Sequence, residues 1–255
     1  MGAKLDNAKA LYLEGIRDGN AREAVEKYTG DRYTQHSTGV ADGVEGFVEF
    51  FEPFIERNPE RDIQIVRGWE DGRYVFLQVY QDINNGEAEW VTTDFFDTDE
   101  NDKIVEHWDV ITKYEGPDDL GRTQLGGGTE IADLDKTEGN KAIVRRLIEN
   151  VCMDGGDPTL IDQLVVEDFV QHRVQCPDGR RFVSKFMLDE ERPLAYDEVV
   201  LCVGQGNFVA TLCKATWGDT PLAQVDIWRV EDDLIVEHWD NVEPVPENDV
   251  NSGKF

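Results

Sequence analysis

Apolar residues in the first half of the chain recur with helical spacing and then switch to strand alternation. Asn7 to Arg17 reads as a helix closed by a Gly-containing turn, and Ala21 to Lys27 as a second, shorter one. GVEGFVEFFEPFIERN then sets Phe47, Phe50, Phe51, Phe54 and Ile55 at helical spacing, a third helix whose stripe is expected to be core. Beyond it, period-2 alternation predicts strands over Ile63 to Trp69, Arg73 to Gln81, Glu87 to Asp97 and Lys103 to Tyr114. Glu70-Asp71-Gly72 and Asn84-Asn85-Gly86 supply turns between them. Helices followed by a meander make a segregated α+β module. A strongly curved antiparallel sheet under its helices leaves a cone, and the open end of the cone is the natural pocket.

The same pattern occurs twice. IVEHWD stands at Ile104 to Asp109 and again at Ile235 to Asp240, and YTQHSTGVADG (Tyr33 to Gly43) aligns with FVQHRVQCPDG (Phe169 to Gly179). Between these anchors, Asp18-Gly19-Asn20 matches Gly155-Gly156-Asp157, Gly72-Arg73-Tyr74-Val75 matches Gly206-Asn207-Phe208-Val209, and Asp94-Phe95-Phe96 matches Asp226-Ile227-Trp228. Order is preserved, and the second copy has lost a few residues where loops tolerate it. Its helices are expected at Asn140 to Met153 and Thr159 to Val165, with a third after the Gln-His segment. The polar, Gly-rich stretch from Gly116 to Lys136 reads as a linker. The expected division is therefore a module over 1–115, a linker over 116–138, a second module over 139–246 and a tail over 247–255.

Charge narrows the partners. With 54 acidic against 25 basic residues the chain carries a formal charge of -29 and no basic stripe, which excludes nucleic acid and anionic membrane surfaces. Adaptation to high salt is one reading of such acidity, and it predicts a melting temperature that rises with added salt. No segment has the apolar length of a signal peptide core or a membrane span, so the expected location is cytoplasmic. Cys152, Cys176, Cys202 and Cys213 lack metal or redox spacing and read as core thiols.

The chain has four histidines, and all fall in the repeated motifs: His36 with His172, and His107 with His238. On the last strand of the first copy, simple alternation puts Ile104, Glu106, Trp108 and Val110 on one face, and Val105, His107, Asp109 and Ile111 on the other. Pairing with the preceding strand can place Asp94 opposite His107, and likewise Asp226 opposite His238, with Asp240 on the same face. A carboxylate beside imidazole in a partly apolar pocket fixes the tautomer and gives a group able to move protons near neutral pH. The alternative is an internal ion pair that staples the hairpin. His36 and His172 either cap the pocket mouth or tie their loops to the sheet, the second role being favoured because each follows a Gln. No spacing supports a metal site, and there is no phosphate loop, nucleophile elbow or dinucleotide fingerprint. Remaining pocket candidates differ between copies: Trp69, Gln78, Tyr80 and Trp90 against Gln205, Lys214, Trp217 and Gln224.

The runs EKYTGDRYTQHSTGVADGVEGFVEFF and VTTDFFDTDENDKIVEHWDV resemble the SnoaL-like polyketide-cyclase group of the nuclear transport factor 2-like superfamily. The resemblance spans about Ala8 to Tyr114 and, more loosely, Asn140 to Val242. It implies two cone-shaped α+β barrels and, in enzymatic members, cofactor-independent acid/base catalysis on small carbonyl compounds. It also implies sheet-mediated pairing, which two modules in one chain could satisfy internally as a pseudo-dimer, with further homo-oligomerisation open. Asp94, His107, Asp109, Asp226, His238 and Asp240 are the motif positions expected to face the cavities. Two functions follow as expectations: a proton-transfer enzyme (aldol-type cyclisation, isomerisation or hydration) with His107 and His238 as general acid/base and Asp94 and Asp226 orienting them, or a non-catalytic small-molecule-binding or scaffold protein.

Overall fold

The computed structural model describes residues 2–153, 156–173, 176–181 and 194–255. They form two compact units, Met1–Tyr114 together with Pro246–Phe255, and Glu115–Val245.

In the first unit α1 (Ala3–Ala10) widens into a π-helical stretch (Leu11–Arg17), followed by α2 (Ala21–Tyr28), β1 (Thr29–Gln35), α3 (Gly43–Arg57), β2 (Arg61–Asp71), β3 (Tyr74–Ile83), β4 (Ala88–Thr98) and β5 (Ile104–Lys113). Strands β2 to β5 form the expected antiparallel meander, and the β3–β4 turn holds Asn84, Asn85 and Gly86 all at positive φ, as a tight hairpin demands. The sheet order is β1-β5-β4-β3-β2, and β1 runs parallel to β5. The sheet is therefore mixed, not purely antiparallel. Strand β1 escapes sequence reading because TGDRYTQ carries Gly30, Asp31 and Arg32 in place of clean alternation, as an edge strand paired on one side can.

The second unit repeats this plan. Helix α4 (Thr137–Leu147) continues into Ile148–Cys152, a 3-10 turn (Pro158–Leu160) leads into α5 (Ile161–Leu164), and β6 (Val165–Gln171), β7 (Leu194–Gln205), β8 (Phe208–Trp217), β9 (Thr220–Glu231) and β10 (Leu234–Pro244) follow. The order β6-β10-β9-β8-β7, with β6 parallel to β10, is that of the first sheet. The expected helix over Thr159 to Val165 stops one residue early because β-branched Val165 opens the strand. Gly155 of the matched turn, and most of the segment expected to form the third helix, lie outside the described residues.

Each core lies between helices and one sheet face. In the first unit Leu11, Ile16, Val25 and Phe47 pack with Val75, Leu77, Phe96 and Ile104; in the second, Val144, Leu147 and Ile148 pack with Val209, Cys213, Trp228 and Ile235. Burial pushes the Cys213 thiol well above its ordinary value. Ile104 corrects the simple alternation. The β4–β5 register passes from Asp97↔Glu106 to Thr98↔Ile104, so Val105 is an extra residue in a bulge and Ile104 returns to the face of His107. The second copy has the same shift between Ile235 and Glu237.

The Gly-rich stretch expected to be a linker is packed into the second unit. Trp239 Nε1 donates to Gly126 O at 2.8 Å, and Arg122 bridges Asp118 at 2.8 Å and Asp178 at 2.6 Å. At Gly127 φ is +82°, and a Cβ there would collide with Glu237, His172 and Trp239. Its glycines thus serve close packing as well as chain reversal. Among the described residues no helix is long and apolar enough to cross a membrane.

Candidate active site

Strand β4 presents Asp94, and β5 presents His107 and Asp109, on the face that carries the helices. The register sets Asp94 opposite Asp109 and Phe96 opposite His107. Asp94 and His107 are thus diagonal neighbours, not directly opposed, yet His107 Nε2 reaches Asp94 Oδ1 at 3.0 Å. In the second unit Asp226 stands opposite Asp240, and His238 Nε2 lies 2.9 Å from Asp226 Oδ1.

Hydrogen-bond accounting fixes the protonation pattern. The backbone N–H groups of His36 and Ser37 both donate to Gln35 Oε1, at 3.1 and 3.2 Å, which orients that amide. His107 Nδ1, 2.8 Å from the same oxygen, must therefore carry a hydrogen. Tyr12 Oη donates to Asp94 Oδ1 at 2.6 Å and Thr92 Oγ1 to Oδ2 at 2.9 Å. One further proton is shared between Asp94 and His107 Nε2. Asp94 is fully buried, and burial pushes its carboxyl above the ordinary carboxylate range against the opposing pull of His107. Burial, with Asp94 and Asp109 nearby, also drives the Tyr12 hydroxyl well above its usual value. In the second unit the imidazole is fixed in the same way, His238 Nδ1 to Gln171 Oε1 at 3.0 Å, while Tyr196 Oη (3.1 Å) and Gln224 Nε2 (2.9 Å) replace Tyr12 and Thr92 as donors to Asp226.

Above Asp109 opens a cavity of about 280 Å³. Phe47, Phe50, Phe51 and Phe54 form much of its apolar wall, with Trp90 and Phe96 across from them. The α3 stripe is therefore shared between core and pocket; the expectation that it is core alone fails, since Phe47 is buried in the core while Phe50 lines the cavity and is 39% exposed. At the polar end stand Tyr12, Tyr33, Gln35, Ser37, His107 and Asp109. Ser37 Oγ donates to Asp109 Oδ2 at 2.6 Å, and Lys254 Nζ lies 3.4 Å from Oδ1. The Tyr33 hydroxyl accepts from Gln35 Nε2 at 3.2 Å, which leaves its own proton to be donated elsewhere. Burial holds that proton in place by raising the phenol above its ordinary value. Tyr33, Gln35 and Ser37 were legible only as a motif around His36. Once β1 is known to be a strand, alternation through it puts these three on the His107 face.

The other candidates separate by strand parity. Trp90 lines the cavity, whereas Trp69 and Tyr80 fall on the opposite sheet face, Trp69 against Phe76 with ring centroids 4.5 Å apart and Tyr80 against Tyr114 at 5.2 Å. Lys214 also lies on the face away from His238, paired with Glu198 at 2.7 Å, and Trp217 is 44% exposed at the end of β8. His36 turns away from the cavity: its ring stacks on Trp108 at 4.9 Å and Nε2 meets Glu106 Oε1 at 3.0 Å. His172 repeats this with Trp239 at 4.8 Å and Glu237 at 2.7 Å. Both tie the loop to the back of the last strand.

Burial raises Glu237, but the hydrogen bonds from His172 and Arg229 outweigh it and hold the carboxyl below its usual range. A depressed carboxylate stabilises the fold above its unfolded value and loses that contribution as pH falls through the folded one. Unfolding of the second unit, followed by calorimetry, is therefore expected to become easier below about pH 4.3, and Glu237→Gln to flatten that slope.

Asp94, His107 and Asp109 bring ligand-type atoms within 4.8 Å of one another. Those atoms already meet Tyr12, Thr92, Gln35, Ser37 and the Lys254 ammonium, a donor-filled cluster and not an open ligand set. No metal or cofactor is assigned to it.

Residues 10–107 match the family model described as SnoaL-like domain. No curated protein matches the chain. Solved structures similar to it include a ketosteroid isomerase candidate from Kribbella flavida (20% identity, 44% of this chain and 84% of that one, TM-score 0.37). Others are IdmH, a polyketide cyclase candidate from Streptomyces antibioticus (22%, 41% and 91%, 0.34), and an LEH-like epoxide hydrolase of M. tuberculosis (15%, 42% and 85%, 0.36). Residues 10–107 of the first unit thus match a SnoaL-like domain, and the second unit repeats the first unit's sheet order and its buried Asp–His–Gln arrangement.

Proposed function

We propose that the chain binds a small carbonyl compound in the first unit and performs cofactor-independent acid/base chemistry on it, of the isomerisation, aldol-type cyclisation or hydration class. The observation that carries this is a cavity with an aromatic wall and one polar end, which Asp109 and Tyr33 line together. Asp109 would take the proton from carbon next to the carbonyl, and Tyr33 would donate to the oxygen on which charge develops. Both ring nitrogens of His107 are engaged, by Gln35 and Asp94, so His107 holds the wall and the shared proton beside Asp109 instead of meeting substrate directly.

The second unit has Phe169 where the first has Tyr33, and Arg173 where it has Ser37. It retains Asp226, His238 and Asp240 but not the hydroxyl donor. We assign it binding or structural duty. The engagement of both imidazoles also favours a second reading for the whole chain, a non-catalytic binding module in which these pairs serve folding. The test is solvent-deuterium exchange at carbon over a panel of small ketones and β-dicarbonyls. Exchange lost in Asp109→Asn and kept in Asp240→Asn supports the assignment. Exchange lost in Asp240→Asn alone moves the chemistry to the second unit, and exchange by no variant and no compound favours the binding module.

A further inference from the structure

We propose that Lys254 is a positioning residue for Asp109, carried into the first site by residues 249–254 acting as a strap. Its ammonium lies 3.4 Å from Asp109 Oδ1 and 3.3 Å from Thr38 Oγ1, with the side chain 1% exposed. The strap is fastened to the loop between β1 and α3 along its length. Asp249 Oδ1 accepts from Gly39 N at 3.1 Å, Asn251 Nδ2 donates to Ser37 O and Val40 O at 2.7 and 2.9 Å, and Ser252 Oγ donates to Asp42 Oδ2 at 2.8 Å. His36 Nδ1 meets the Gly253 carbonyl.

The second unit has a counterpart of this cation. Asp240 is the repeat equivalent of Asp109, and Arg173, at the position of Ser37, sits on it at 2.6 Å. Both copies thus place one cation on the same carboxylate, one from within the motif and one from the far end of the chain. The electrostatic need is plain: Asp109 faces Asp94 across the β4–β5 ladder, with His107, Tyr12 and Tyr33 as the other titratable groups around it. Two carboxylates so close repel unless a cation is shared among them. With Ser37 on one oxygen and Lys254 on the other, the Asp109 carboxylate is held in one orientation at the cavity floor.

The experiment follows the Asp109 side-chain carboxyl by 13C NMR through a pH titration of the full chain, with the resonance assigned from Asp109→Asn. Removing the cation in Lys254→Met is expected to raise the Asp109 midpoint by about one unit, tenfold in proton affinity. Lys254→Arg should hold it near the wild-type value, and Ser37→Arg added to Lys254→Met should bring it back by recreating the arrangement of the second unit. An unchanged midpoint in Lys254→Met overturns the proposal, even with a lower melting temperature, since that combination describes a strap that only braces the fold. A rise that Ser37→Arg fails to reverse also overturns it, because the cation would then not be what the two copies share. The readout requires no substrate, so its outcome is separable from the fate of the catalytic assignment.

Discussion

Asp94→Ala is expected to destabilise the first unit by about 3–5 kcal/mol, the usual cost of removing one member of a buried charge pair. Three donors converge on this fully buried carboxyl, Tyr12 at 2.6 Å, Thr92 at 2.9 Å and His107 at 3.0 Å, and alanine would strand all of them around a void. Asp94→Asn should cost much less, under about 2 kcal/mol. Gln35 already keeps the hydrogen on His107 Nδ1, so the neutral imidazole can accept from the Asn amide through Nε2 while the Asn oxygen serves Tyr12 or Thr92. Urea unfolding of the two variants and wild type measures the difference. Equal losses for Ala and Asn would mean that the charge, and not the hydrogen-bond count, secures the hairpin. The slope with pH gives a second check. Burial holds Asp94 above its unfolded value of about 3.9, so its protonated form is favoured by folding. That contribution is complete below the unfolded value and is lost as pH rises through the folded one, a decline that Asp94→Asn should lack.

This network also marks where sequence reading reaches and where it stops. The duplication is legible from IVEHWD alone, and the buried Asp–His contact follows from alternation along two strands and a short turn, since a hairpin of that length permits few registers. The diagonal offset does not follow, because it depends on the bulge at Val105, and a bulge leaves no apolar or polar signature in KIVEHWD. Trp69 and Tyr80 are aromatics on strands of the same sheet, but each strand's parity relative to His107 is set by the full ladder from β5 to β2, and composition does not contain it. The polar contact of Lys254 with Asp109 joins residues 145 positions apart with no motif to announce it. Tyr12 is hidden for a related reason: its hydroxyl reaches Asp94 from a π-helical turn, whereas the second unit meets the same need with Tyr196 from β7. Both copies conserve the function of a phenol on the buried carboxylate without conserving its position in the chain, and alignment of the copies therefore passes over it.

Asp109→Asn and Tyr33→Phe should have the largest effects on chemistry, and they should differ in kind. Asp109 sits at the cavity floor with Ser37 on one oxygen, and its amide isostere keeps that contact while losing the base. Loss of exchange by about 10²–10⁴-fold is the expected result, together with a lower melting temperature because the buried Lys254 ammonium loses its carboxylate partner. Tyr33→Phe removes the donor meant for the developing oxyanion and should lower the turnover rate by about 10²–10³-fold, with a smaller effect on KM because the ring and its packing on Phe47 are kept. The natural Phe169 at the equivalent position argues that the fold accepts this change. A Tyr33→Phe variant that raises KM at unchanged kcat would reassign the hydroxyl to ground-state binding. If neither substitution slows exchange that the wild type performs, the proton is being moved elsewhere, and the pair Asp226–His238 becomes the next place to remove a carboxylate. The two predictions are coupled by geometry: base and oxyanion donor must flank one substrate enol, so the double variant should lose less than the product of the single losses.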